Sequence, residues 1–257
     1  FIPSVPGYVY AVHNSEVYVN LFMSNNSTLK VAGKNVNLQQ NTVYPWNGDI
    51  KINVNPSGKQ HFKLKIRIPG WVQGEVVPSN LYTYNDRKIL SYNVKVNGEL
   101  QKAVLDNGYF SINRQWKKGD VVEVHFDMEP RTVKAHSAVE ADRGKLAVER
   151  GPIVYCAEWP DNDFSVLSVI MNRKPEFKVV EKPALLKGIT QLQTDAQTLS
   201  YNKAGKIEAR DVTLTLIPYY AWAHRGSGEM AVWFPDELSA TRPVMPPSIA
   251  SESEITA

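Results

Sequence analysis

Cysteine is almost absent from this sequence, with Cys156 the only one in 257 residues. A single thiol excludes an internal disulfide framework and any zinc site built from several thiolates of this chain. Long apolar runs are missing as well, and no stretch reaches the roughly 18 residues a membrane-spanning helix needs. Charge of one sign is also scarce: 29 basic and 26 acidic residues are interspersed to a net +3, without the basic stripe that nucleic acid would require. Neither a membrane nor a nucleic acid is therefore expected as a partner. The opening Phe1-Ile2-Pro3-Ser4-Val5-Pro6-Gly7-Tyr8 lacks a charged leader and a cleavage site.

The usual catalytic spacings are missing too. His13, His61, His125, His136 and His224 show no His-Glu-x-x-His pattern and no close pair on one strand face. There is no Gly-x-Ser-x-Gly, and Gly226-Ser227-Gly228 reads as a turn. Glycoside hydrolysis asks for two carboxyl groups facing each other across a sugar. Asp120 with Glu123, Glu140 with Asp142, and Glu149 with Glu158 all read instead as solvated carboxylates beside Lys and Arg, in turns or on polar strand faces. Cys156, in the apolar run Ile153-Val154-Tyr155-Cys156-Ala157, has no neighbouring histidine to activate it and reads as a buried structural thiol.

What the sequence does have is period-two alternation. In His61-Phe62-Lys63-Leu64-Lys65-Ile66-Arg67-Ile68, apolar and basic residues alternate strictly, which predicts a half-buried strand. Residues 16–22, 49–54, 92–96 and 121–126 read similarly before position 135, and 191–199 and 206–216 after it. Asn97-Gly98 and Asn107-Gly108 supply the positive φ that two-residue hairpin loops require. Helical periodicity is confined to the neighbourhood of residues 1–12. At 257 residues with 43% hydrophobic composition, the chain has enough apolar material for two modest cores. The fold class predicted is all-β, with two antiparallel β-sandwich domains over residues 13–138 and 139–240. Residues 241–257, rich in proline, are predicted to be an extended or disordered tail.

Six tryptophans and twelve tyrosines raise a further question, because aromatic rings both build sandwich cores and stack on sugars. Trp71, after Ile68-Pro69-Gly70, and Trp116, before a hairpin turn, read as core residues. Trp159 and Trp222 lie in less regular, more polar segments and are the candidates for a ligand or domain contact.

Taken in order, several motifs resemble one family. They are Ile2-Pro3-Ser4-Val5-Pro6-Gly7-Tyr8-Val9-Tyr10-Ala11, Tyr44-Pro45-Trp46-Asn47-Gly48, Arg67-Ile68-Pro69-Gly70-Trp71, the run 108–120 from Gly108-Tyr109-Phe110 to Lys118-Gly119-Asp120, the run 143–155 from Arg143-Gly144-Lys145 to Ile153-Val154-Tyr155, and Trp222-Ala223-His224-Arg225-Gly226-Ser227-Gly228-Glu229-Met230. Together they resemble the carboxy-terminal part of glycoside hydrolase family 127, the β-L-arabinofuranosidase family. The resemblance implies an upstream (α/α)6 barrel as this region's partner, with residues 1–12 the end of its last helix. It also implies, for that barrel, a zinc ion held by three cysteines and a glutamate, a cysteine nucleophile, and retaining hydrolysis of terminal arabinofuranosides or related plant-glycan sugars. None of those catalytic, cofactor or metal positions matches a residue here, so this chain is expected to hold no catalytic residue, cofactor or metal. Periplasmic or extracellular placement goes with such a family. The alternative reading is a carbohydrate-binding module using exposed aromatics. On either reading the candidate contacts with carbohydrate or a neighbouring domain are Trp159, Trp222, His224 and Arg225. His224 departs from the family, which often has asparagine there.

Overall fold

The computed structural model describes residues 1–86 and 88–245. The chain is all-β and forms two compact units: residues 1–79 with 86–129, and residues 80–85 with the chain from Pro130 onward. No helix among the described residues is long and apolar enough to cross a membrane.

The first unit is a sandwich of two sheets. Its strands are β1 (Tyr10–His13), β2 (Glu16–Val19), β3 (Asn25–Val31), β4 (Lys34–Thr42), β5 (Asp49–Pro56) and β6 (Gln60–Arg67); β7 (Tyr82–Tyr84) belongs to the other unit, and β8 (Tyr92–Val96), β9 (Glu99–Leu100), β10 (Tyr109–Trp116) and β11 (Asp120–Phe126) complete the set. The sheet orders are β1-β2-β6-β10 and β3-β4-β5-β11-β8-β9. Pairing is antiparallel apart from β2 with β6, which run parallel. Alternation decides which face is buried: Phe62, Leu64 and Ile66 of β6 point inward, as do Ile50, Ile52 and Val54 of β5 and Val122, Val124 and Phe126 of β11. Trp116 is fully buried, stacks on Phe62 with ring centroids 5.6 Å apart, and donates its indole N–H to the Phe62 carbonyl at 3.0 Å. A buried indole needs such a partner, because an unpaired donor in a core is costly. The Asn-Gly turns have the predicted conformation, with φ of 53° and 84° at Asn97 and Gly98 and of 51° and 80° at Asn107 and Gly108.

The second unit contains β7, β12 (Pro130–Ala135), β13 (Lys145–Arg150), β14 (Ile153–Glu158), β15 (Val169–Met171), β16 (Lys178–Lys182), β17 (Ile189–Tyr201), β18 (Ile207–Pro218), β19 (Met230–Ala231) and β20 (Phe234–Pro235). The main order is β15-β17-β18-β14-β13-β12-β7, with β16 on β17, β19 on β14 and β20 on β13. Edge strand β15 packs on β20, so the sheet closes over one core containing Leu146, Tyr155, Met171, Leu192, Leu216 and Phe234. The opposite face of β14 and β18 carries a smaller cluster of Cys156, Ile189, Ile217 and Ala221, covered by loops.

Three details differ from the sequence reading or refine it. The units part between Glu129 and Pro130 rather than at 138/139, because β12 pairs with β13 and β7; alternation identifies a strand and not the sheet it joins. At the amino terminus the helical segment is a 3-10 turn over Ile2–Tyr8, and Tyr10–His13 is already a strand paired with Glu16–Val19. Pro3 and Pro6 lack the N–H groups a longer helical ladder would use. Of the tail, residues 246–257 lie outside the described residues. Just before them Val244 bridges Ser200, with its N–H donated to the Leu199 carbonyl at 3.0 Å.

Candidate functional site

The Trp222–Met230 string is built against the end of β14. In β14 the odd residues Tyr155 and Ala157 enter the main core, so Cys156 and Glu158 face the loop layer. After Glu158 the chain makes a single 3-10 turn, Trp159–Asp161, and after β18 a second one, Tyr219–Ala221. The loop that follows returns through β19, which pairs with Ala157 and Glu158.

Arg225 closes this loop from the inside. Its Nε and Nη2 donate to Glu158 Oε2 at 3.2 and 2.5 Å, its Nη1 donates to Asp161 Oδ1 at 2.9 Å, and Nη2 also reaches Asp161 Oδ2. Glu158 accepts in addition the backbone N–H of Ala223 at 2.9 Å, a residue at φ 64°. Both carboxylates are deeply buried, with side chains 2% and 10% exposed, and Arg225 retains only 19%. The hydrogen bonds it donates to Asp161, and then those to Glu158, hold the guanidinium charged far above its ordinary range against the opposing effect of burial. The fork geometry of arginine suits this double contact, which a lysine does not reproduce. Arg225 is thus an interior strut, and its hydrogen-bonding capacity is directed inward.

The glycines of the string fit the indole of Trp159. A Cβ placed on Gly228 would lie 1.9 Å from Trp159 Cδ1, so only glycine allows the loop to cross that ring. The backbone N–H of Trp159 donates to the Glu229 carbonyl at 3.1 Å. Trp159 remains 42% exposed and Trp222 37%, and Trp222 stacks on Tyr219, with centroids 6.1 Å apart and planes 27° from parallel. His224 is exposed. Of the four candidate residues, three therefore lie at the surface of one loop region and the fourth lies beneath it. Tyr219 has no signal in the sequence beyond its nearness to Trp222, and only the 3-10 turn Tyr219–Ala221 brings the two rings together.

Glu158 corrects another expectation. It reads in sequence as a solvated carboxylate but is buried, because Arg225, 67 positions away, neutralises it. Cys156 beside it is fully buried, and burial, reinforced by the charges of Glu158 and Asp161, pushes its thiol up to about 12. A thiol so placed is protonated and inert at neutral pH. No group of three or more His, Cys, Asp or Glu among the described residues is arranged to hold a metal ion. The described residues thus do not offer the thiolate-rich donor set that the implied zinc needs.

In the first unit, the outer face of β5, β11 and β8 carries a shallow polar groove of about 480 Å³ lined by Asp49, Lys51, Asn93, Lys95, Glu123 and His125. His125 Nδ1 lies 2.7 Å from Asp49 Oδ1 and its Nε2 lies 3.3 Å from Asp127 Oδ1. The hydrogen bond to Asp49, opposed by partial burial, raises the imidazole above its ordinary value of 6.5.

Comparison with known proteins agrees with this architecture. Residues 16–128 match the β-L-arabinofuranosidase, GH127 middle domain model, and residues 130–235 match the glycoside hydrolase family 127 C-terminal domain model. A non-reducing end β-L-arabinofuranosidase of Bifidobacterium longum subsp. longum is 29% identical over 253 residues, covering 90% of this chain and 35% of that protein. A solved GH127 β-arabinofuranosidase superposes with a TM-score of 0.91 at 60% identity, over 96% of this chain and 38% of that one. A GH127 β-L-arabinofuranosidase from Geobacillus stearothermophilus T6 superposes with a TM-score of 0.79 at 31% identity, over 92% and 36%. The chain thus spans little more than a third of the length of these relatives. With both of its units matched by models of one family, in order and nearly end to end, this chain belongs to glycoside hydrolase family 127.

Proposed function

We propose that this chain is the non-catalytic β-sandwich portion of a glycoside hydrolase. On this reading an upstream (α/α)6 barrel, the chain's partner, carries out retaining hydrolysis of terminal arabinofuranosides or related plant-glycan sugars. The zinc-thiolate chemistry implied for the family would reside in that barrel. The two sandwiches would support the barrel and help to position the glycan.

The observation that carries this reading is the state of the chain's own reactive groups around β14. Hydrolysis by paired carboxylates needs one to act as acid and the other as base or nucleophile across an open cleft, roughly 5 to 9.5 Å apart. Glu158 and Asp161 do come together, but Arg225 is fixed between them and leaves no room for a sugar. The thiol of Cys156 lies in the same closed layer. The matches to middle and C-terminal domain models support the same division of labour.

The test is to assay the 257-residue chain on aryl β-L-arabinofuranosides with zinc supplied. The expected result is no release of the aryl group above background. Sustained turnover would overturn the proposal.

A further inference from the structure

The loop layer of the second unit combines two features that a loop serving only as a connection would not need. One is an exposed aromatic surface: Tyr219 is 43% and Trp222 37% exposed, and the two rings are already packed nearly parallel. The other is an interior lock. Glu158 takes the N–H of Ala223, directly after Trp222, and Arg225 ties Glu158 to Asp161, so Trp159 and Trp222 are both attached to residues held by one buried ion cluster. A loop that orders on binding pays for that ordering, and the backbone carrying Trp222 is already held in place by this cluster.

We propose that the Tyr219–Trp222 ring pair is a carbohydrate-stacking platform, and that Arg225, Glu158 and Asp161 are positioning residues that hold its loop in place. Sugars present an apolar C–H face ringed by hydroxyls, so they bind where aromatic rings stand among polar groups. That is the arrangement here, with His224 and Ser227 exposed on the same loop. A permanent protein interface has a more continuously apolar centre. The occupant is an arabinose-bearing plant glycan. That choice of sugar rests on the family reading above, whereas the platform rests on the loop geometry.

The experiment is affinity electrophoresis of the 257-residue chain in native gels containing arabinan, arabinogalactan or, as a control without arabinose, hydroxyethyl cellulose. Retardation is expected in an arabinose-bearing gel and not in the control. Trp222→Ala and Tyr219→Ala, both at exposed positions, are each expected to weaken it about tenfold with an unchanged melting temperature, and Trp222→Phe to restore most of it. Arg225→Lys keeps the charge but not the fork; it is expected to weaken retardation and to shift the indole emission to the red, while Trp222→Phe leaves the remaining emission in place. Failure of every arabinose-bearing gel to retard the chain would overturn the proposal, as would retardation indifferent to both ring deletions or equal retardation in the control. Concentration-dependent self-association abolished by Trp222→Ala would also overturn it, by assigning the rings to protein docking. Hydrolysis is read by product release and binding by mobility, so the platform and the non-catalytic reading fail separately.

Discussion

Arg225 Nη2 lies 2.5 Å from Glu158 Oε2 at a point where the glutamate side chain is only 2% exposed. A lone carboxylate at that depth would be protonated or would expel the loop above it. The pair, completed by Asp161, instead makes the loop part of the unit's interior and leaves its aromatic rings outside.

Removing the guanidinium should therefore be severe. Arg225→Ala leaves two buried carboxylates without their cation and is expected to destabilise the second unit by about 3 to 5 kcal/mol. Urea denaturation followed by tryptophan fluorescence measures it. A loss below about 1 kcal/mol, in the range of surface ion pairs, would show the cluster to be solvated.

Gly228 has no room for a side chain. Gly228→Ala sets a methyl group against the Trp159 indole and is expected to cost about 1 to 3 kcal/mol through displacement of the loop. Gly205, where a Cβ would meet nothing within 4 Å, is the comparison site; its φ of 74° adds only backbone strain to an alanine there. Indole emission should shift in the first variant and stay in place in the second.

Cys156 should report unfolding. Its fully buried thiol, raised to about 12, is expected to resist a thiol-specific reagent at pH 8 in native protein and to react fully in denaturant. Rapid labelling of the native chain would place the thiol at the surface.

His125 gives the first unit a pH dependence of definite sign. Its folded pKa is raised above 6.5, principally by the hydrogen bond to Asp49, so the stabilisation is fully present below about pH 6.5 and is lost as pH rises through the raised value. The melting temperature of the first unit should fall over that interval, modestly because the side chain is 44% exposed. His125→Gln should flatten this slope. At the acid end the opposite holds for Asp127, whose pKa is lowered chiefly by the Ser91 hydroxyl: its contribution is lost as pH falls below 3.8.

Trp116 anchors the first core. Trp116→Ala removes the stack on Phe62 and a buried hydrogen bond, and is expected to cost about 3 to 5 kcal/mol in equilibrium denaturation. A cost below about 1 kcal/mol would contradict its complete burial.

The all-β class, most strand positions, the Asn-Gly turns and the family were determined by the sequence alone. Those features depend on neighbours: burial in β6 follows from alternation two residues apart, and positive φ at Asn97 and Gly98 from the residues themselves. Only the tertiary structure decided that β12 joins the second unit, that Glu158 is buried rather than solvated, and that Arg225 faces inward while Trp222 and Tyr219 face outward. Each of these depends on a partner distant along the chain. The Arg225 contacts to Glu158 and Asp161 span 67 and 64 positions, and β7 reaches β12 across more than forty. A charge three residues from a tryptophan looks the same in sequence whether it meets water or a carboxylate, and the fold determines which it meets.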